Sequence, residues 1–147
     1  MTDTTIVEAD TTTKTPFAMW LDALRSGDYQ QANGVLRDGD AFCCLGVGCD
    51  LAVKNGVIPE PMFTGARYVY GIPGEDMNGW TLPRAVQEWL GLNAPNPDIT
   101  VDGYTSDVAW HNDERGLTFA QIADALEAAF PHLMKPAEQT TTTTPTV

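Results

Sequence analysis

Residues 37–56 read RDGDAFCCLGVGCDLAVKNG, from Arg37 to Gly56, and hold all three cysteines and the densest apolar run of the chain. The polar loop Arg37-Asp38-Gly39-Asp40 opens the stretch and Asn55-Gly56 closes it. The spacing predicts a helix over 41–54, capped by Asp38 or Asp40 and stopped by Asn55-Gly56. Leu45, Gly48, Cys49, and Leu51 or Ala52 make it apolar on most sides, which marks a buried helix. Gly46 and Gly48 each lower helix propensity by about 1 kcal/mol relative to Ala. Their expected use is the close approach of a neighbouring backbone.

Working outward, three more helices are predicted. Thr15-Pro16 supplies an N-cap and a first-position proline for a helix over 16–26. Phe17, Trp20, Leu21 and Leu24 form its apolar face, and Gly27 ends it. Leu82-Pro83 opens a helix over 82–91, with Leu82, Val86, Trp89 and Leu90 facing inward. Thr118 and Gln121 match a capping box for a helix over 118–130, with Leu117 and Ile122 as its hydrophobic staple.

Between these helices the pattern is weaker. Asp28 to Leu36 reads as a turn or short helical segment, and VIPEPMF, 57–63, as loop. Ala66 to Tyr70 is rich in β-formers and is expected to pair with Met77–Trp80 in a small hairpin near 66–80. Ile99–Val101 reads as a strand remnant. The fold expected is mainly α, with the hairpin making it at most α+β. Four helices pack in one compact domain, 15–136, around the buried Cys-containing helix. Residues 1–14 and the Thr-rich 137–147 read as disordered tails, because neither buries enough apolar surface to offset its ordering entropy.

Composition bounds the function. The chain has 147 residues, 43% hydrophobic, with 20 acidic against 8 basic residues and a formal charge of -12. Neutralising duplex phosphates needs clustered Lys and Arg, so direct binding to a nucleic-acid duplex is not expected. An anionic membrane surface is disfavoured for the same reason. No stretch reads as a membrane span, and the polar, acidic start reads as no secretion signal. Three cysteines, two of them adjacent, favour free thiols over a disulfide framework. These features predict a soluble, cytoplasmic protein.

Cys43 and Cys44 fall at a helix N-terminus, where the macrodipole favours a thiolate, and His111 with Asp113 could supply a base. Cysteine is also among the most buried residue types, so the core reading is preferred. The CC-x4-C spacing fits no zinc site, and no phosphate-binding glycine loop is present, so neither metal nor cofactor is expected. Arg25, Ser26, Tyr29, Gln31 and Arg37 lie between two apolar helices. Two guanidinium forks, a stacking ring and nearby helix amides would suit a small anionic, nucleotide-like ligand. In the plainer alternative Arg25 caps its own helix and Arg37 pairs with Asp38, Asp40 or Asp50.

The blocks Trp20-x-x-Ala23-Leu24-Arg25-Ser26-Gly27-x-Tyr29-x-Gln31, Leu36-Arg37, Phe42-Cys43-Cys44-Leu45-Gly46-Val47 and Cys49-Asp50-Leu51 resemble a family of small phage and prophage proteins. Leu82-Pro83-x-x-Val86-x-x-Trp89-x-Gly91-Leu92 and Asn112-Asp113-x-x-Gly116-x-Thr118-Phe119-x-x-Ile122-Ala123-Asp124 continue the resemblance, which spans about 17–130. Gly48 and Trp110-His111 depart from the pattern. The resemblance implies a phage origin and action in an infected bacterium, and no mechanism. Three functions follow as expectations. One is an accessory, counter-defence protein that binds a small anionic ligand where Arg25 and Arg37 converge. Another is an interaction module that occupies a host protein through its acidic surface. The third is a small Cys-dependent enzyme.

Overall fold

A computed structural model describes residues 14–65 and 67–135. Among the described residues, five α-helices are interspersed with seven strands in three small sheets. The chain is therefore an α+β domain and not the expected four-helix arrangement. The tails expected at 1–14 and 137–147 lie outside the described residues, except for Lys14, which pairs with Asp22.

Helix α1, Pro16–Ser26, forms as its signals dictate. The Thr15 hydroxyl accepts from Ala18 N at 3.1 Å, and Gly27 takes a left-handed φ of +82°. Phe17, Trp20, Leu21 and Leu24 are buried. Three two-residue strands follow: β1 Gln30–Gln31, β2 Arg37–Asp38 and β3 Ala41–Phe42. The order is β1-β3-β2, with β3 parallel to β1 and antiparallel to β2.

That small sheet shortens the central helix from its front. Ala41 and Phe42 are spent on β3, so α2 runs Cys44–Lys54. Its N-cap is Cys43, whose Sγ accepts from Gly46 N at 3.4 Å, and not Asp38 or Asp40. Helix α2 packs against α1 and two later helices and is buried along Cys44–Cys49 and at Ala52. A β-carbon on Gly46 would lie 1.8 Å from the Leu36 carbonyl oxygen, so backbone approach fixes glycine there. At Gly48 the neighbours are side chains, Leu90 and Trp20, each 3.4 Å from such a β-carbon.

The expected 66–80 hairpin is redrawn. Strand β5, Arg67–Val69, pairs antiparallel with β4, Met62–Thr64, in the stretch read as loop. Pro61 precedes β4 and Pro59 lies further outside it, so neither proline removes a ladder donor. The Met77–Trp80 partner survives only as a bridge between Tyr70 and Asn78.

Helix α3, Arg84–Leu90, starts later than expected, because Pro83 is its N-cap and has no side-chain hydrogen bond to offer. The Asp76 carboxylate accepts from Arg84 N instead, at 2.9 Å. Strands β6, Asp98–Val101, and β7, Tyr104–Asp107, form a hairpin. Its turn places Asp102 at φ +55° and Gly103 at +83°, the signs a two-residue type I′ connection requires. Helix α4, Val108–Asp113, is capped by Asp107, which accepts from Trp110 N at 2.8 Å. Helix α5, Phe119–Ala129, carries the full capping box at Thr118 and Gln121.

Candidate functional site

The cysteines belong to the core. Cys43, Cys44 and Cys49 are free thiols and all buried. Burial pushes Cys43 up to about 11, and pushes Cys44 and Cys49 well above the ordinary thiol value. A thiol held neutral is a poor nucleophile. His111 is buried with its Nε2 on the Ile99 carbonyl at 3.1 Å, and it makes no hydrogen bond to a thiol among the described residues. Among those residues no cluster of three or more His, Cys, Asp or Glu side chains could hold a metal. No helix among them is long and apolar enough to cross a membrane.

The five residues Arg25, Ser26, Tyr29, Gln31 and Arg37 are not brought together. Arg25 donates to Asp124 and Glu127, each at 2.8 Å, and links α1 to α5. The Asp124 bond, aided by Glu127, holds its guanidinium above the ordinary value against partial burial. Ser26 Oγ donates to the Ala23 carbonyl and accepts from Asp28 N, closing the turn after α1. Tyr29 donates to Asp50 at 2.5 Å and sets its ring edge-on to Phe42. Burial, then Asp50, push the Tyr29 hydroxyl up. Gln31 donates to Asn112 Oδ1 and to the Leu117 carbonyl, both at 2.8 Å. Arg37 donates from Nε to the Gly39 carbonyl at 2.7 Å.

Side chains from these distant segments thus largely satisfy one another. Arg25 meets Asp124, Tyr29 meets Asp50, and Gln31 meets Asn112. Their chemistry is spent on holding the fold. Ser26 and Tyr29 do share a cleft of about 430 Å³ with Asp22, Asp28, Leu51 and Lys54. Neither Arg25 nor Arg37 lines it. Lys54 is paired with Asp50 at 3.1 Å, so the cleft offers an anion two carboxylates and one neutralised ammonium.

A second region was not singled out by sequence. On the β4–β5 ribbon Phe63 stands opposite Tyr68, ring centroids 5.0 Å apart. The Arg37 guanidinium stacks over Tyr68 at 4.1 Å and lies 5.2 Å from Phe42. Arg67 stacks over Trp80 at 4.3 Å. A β-carbon on Gly79 would lie 2.8 Å from the Arg67 side chain, so glycine leaves room for that stack. Met62, Phe63 and Trp80 are 49%, 61% and 53% exposed. All eight basic residues are described, and Lys14, Arg25, Lys54 and Arg115 each have a carboxylate partner. Arg37, Arg67, Arg84 and Lys135 have none among the described residues, and of these four Arg37 and Arg67 are the two that stack on rings. The sequence signal was there: Arg67, Tyr68 and Trp80 interleave cation and ring just beyond the exposed Met62-Phe63 pair.

No curated protein and no solved structure matches the chain. A family match covers most of the folded region, from the α1 cap to the end of α5. The chain belongs to the family described as Domain of unknown function (DUF8296), matched over residues 15–130.

Proposed function

We propose that this chain is a non-enzymatic interaction protein of phage origin that binds a host protein in the cytoplasm of an infected bacterium. The contact face is the β4–β5 ribbon with Trp80. The observation that carries this reading is the exposure of Met62, Phe63 and Trp80 beside two stacked guanidinium groups that have no carboxylate partner among the described residues. Clustered exposed apolar side chains mark interaction sites, and Trp, Tyr and Arg supply most binding hot spots. The reading keeps the interaction class and moves the contact from the acidic surface to the ribbon. The buried thiols supply no nucleophile for the enzyme reading. The small-anion reading loses Arg25 to two carboxylates. Three free cysteines support a reducing compartment.

The test is affinity capture from bacterial extract with the full chain, followed by binding of the purified retained protein. Phe63→Ser is expected to weaken that binding about tenfold with circular dichroism unchanged. Equal binding by Phe63→Ser and by a Met62→Ser, Trp80→Ser pair would contradict the reading.

A further inference from the structure

We infer that the β4–β5 ribbon inserts, free edge first, into a cleft of the partner whose walls carry carboxylates opposite Arg37 and Arg67. This deepens the interaction-face reading and rests on it. Successive strand residues point to opposite faces. Phe63 and Tyr68 are register partners and share one face, while Met62 and Arg67 belong to the other. All three residues of β4 are exposed while β5 is half-buried, so it is at β4 that neither face is covered by the rest of the chain. A flat partner would cover one face and leave the other in water. A cleft covers both.

The charge of that cleft follows from the guanidinium groups. Each face of the ribbon carries one, Arg37 over Tyr68 and Arg67 over Trp80. Stacking occupies the flat side of the fork and leaves in-plane bonding to the N–H groups; Arg37 spends its Nε on the Gly39 carbonyl, so its terminal Nη groups are those that would take a carboxylate. The Arg67 Nε is already buried with no hydrogen-bond partner, so part of the desolvation cost is met before binding. Arg115 shows the self-contained alternative. It stacks on the exposed Tyr104 in the same way, yet pairs with Asp102 at 3.3 Å and donates to the Val101 carbonyl. Strand β4 has no ladder partner on its outer side among the described residues, which leaves the edge open for entry.

The probe is an alternating glutamate–leucine peptide added to the isotopically labelled full chain, with lysine–leucine and serine–leucine peptides as comparators. The expected result is a saturable shift of the Arg37, Arg67 and Trp80 side-chain N–H signals and of the Met62 and Phe63 amides. Binding should be about tenfold tighter than for the serine peptide. Arg67→Gln alone, and with Arg37→Gln, should remove that preference. Equal binding of the lysine peptide at the ribbon overturns the inference, as does an acidic peptide that shifts Asp22 and Asp28 instead. Equal binding of the serine peptide overturns the acidic cleft but leaves the interaction face standing. The face itself is tested separately, by the binding of the Phe63→Ser and Trp80→Ser variants to the retained host protein.

Discussion

Gln31 and Asn112, 81 residues apart, share a 2.8 Å hydrogen bond between side-chain amides. The same Asn112 oxygen accepts from Cys44 N at 3.3 Å, and its nitrogen donates to the Ala32 carbonyl at 2.9 Å. One buried amide therefore ties β1, the first turn of α2 and α4 together. Asn112→Ala would strand these donors and the acceptor without water. It should lower stability by about 2–4 kcal/mol, read as a lower urea midpoint with an unchanged slope. A loss under about 0.5 kcal/mol would mean that the network closes without it.

The two glycines of α2 should respond in opposite ways. Gly46→Ala drives a β-carbon into the Leu36 carbonyl and should cost more than about 3 kcal/mol. Gly48→Ala meets side chains at ordinary contact distance and gains up to about 1 kcal/mol of helix propensity. Thermal melts of the two variants should move in opposite directions, or Gly48→Ala should not move at all.

Alkaline pH should unfold the protein through its thiols. Cys43 rises to about 11 in the fold by burial, against an ordinary value of 9.0. Cys44 and Cys49 rise with it, and burial pushes Tyr70 up to about 12. A folded pKa above the unfolded one means that the unfolded chain loses its proton first. The thiol contribution is thus complete below about pH 9 and falls away as pH rises toward 11. Stability measured by urea titration should be flat for these groups below that window and decline inside it. Iodoacetamide at neutral pH should label the thiols at the rate of global opening and no faster.

How much of this was legible in the sequence depends on how local each signal was. Helices α1 and α5 were readable because Thr15-Pro16, Gly27 and the Thr118–Gln121 box act within a few residues of themselves. Burial of α2 was readable from its unbroken apolarity. The two-residue strands were not, because Gln30–Gln31 and Ala41–Phe42 are too short to show a period of two. Nor did β4 stand out between prolines. The Asp102-Gly103 turn and the Asp107 cap of α4 are short motifs with no long periodic segment beside them to mark them out. At the site, Arg25 and Arg37 looked adjacent along the chain. Their real partners come from elsewhere, Asp124 and Glu127 for one and Tyr68 for the other. Exposure of Phe63 and Trp80 is a tertiary property that no local pattern reports.

Arg25 also offers a test of what it does not do. Its two ion pairs join partly or largely exposed groups, so Arg25→Ala should cost no more than about 1 kcal/mol. A thermal-shift screen with cyclic dinucleotides should show no stabilisation that depends on Arg25. A melting-temperature rise lost in Arg25→Ala would return the small-anion reading to first place.

The most direct test compares two aromatic side chains of similar exposure, Trp80 at 53% and Tyr104 at 59%. Each lies under an arginine, but among the described residues only that of Tyr104 is paired with a carboxylate. Calorimetric titration of the purified host protein should show about tenfold weaker binding for Trp80→Ser and no change for Tyr104→Ser. Unchanged binding in Trp80→Ser, or a loss confined to Tyr104→Ser, would contradict the ribbon as the contact face.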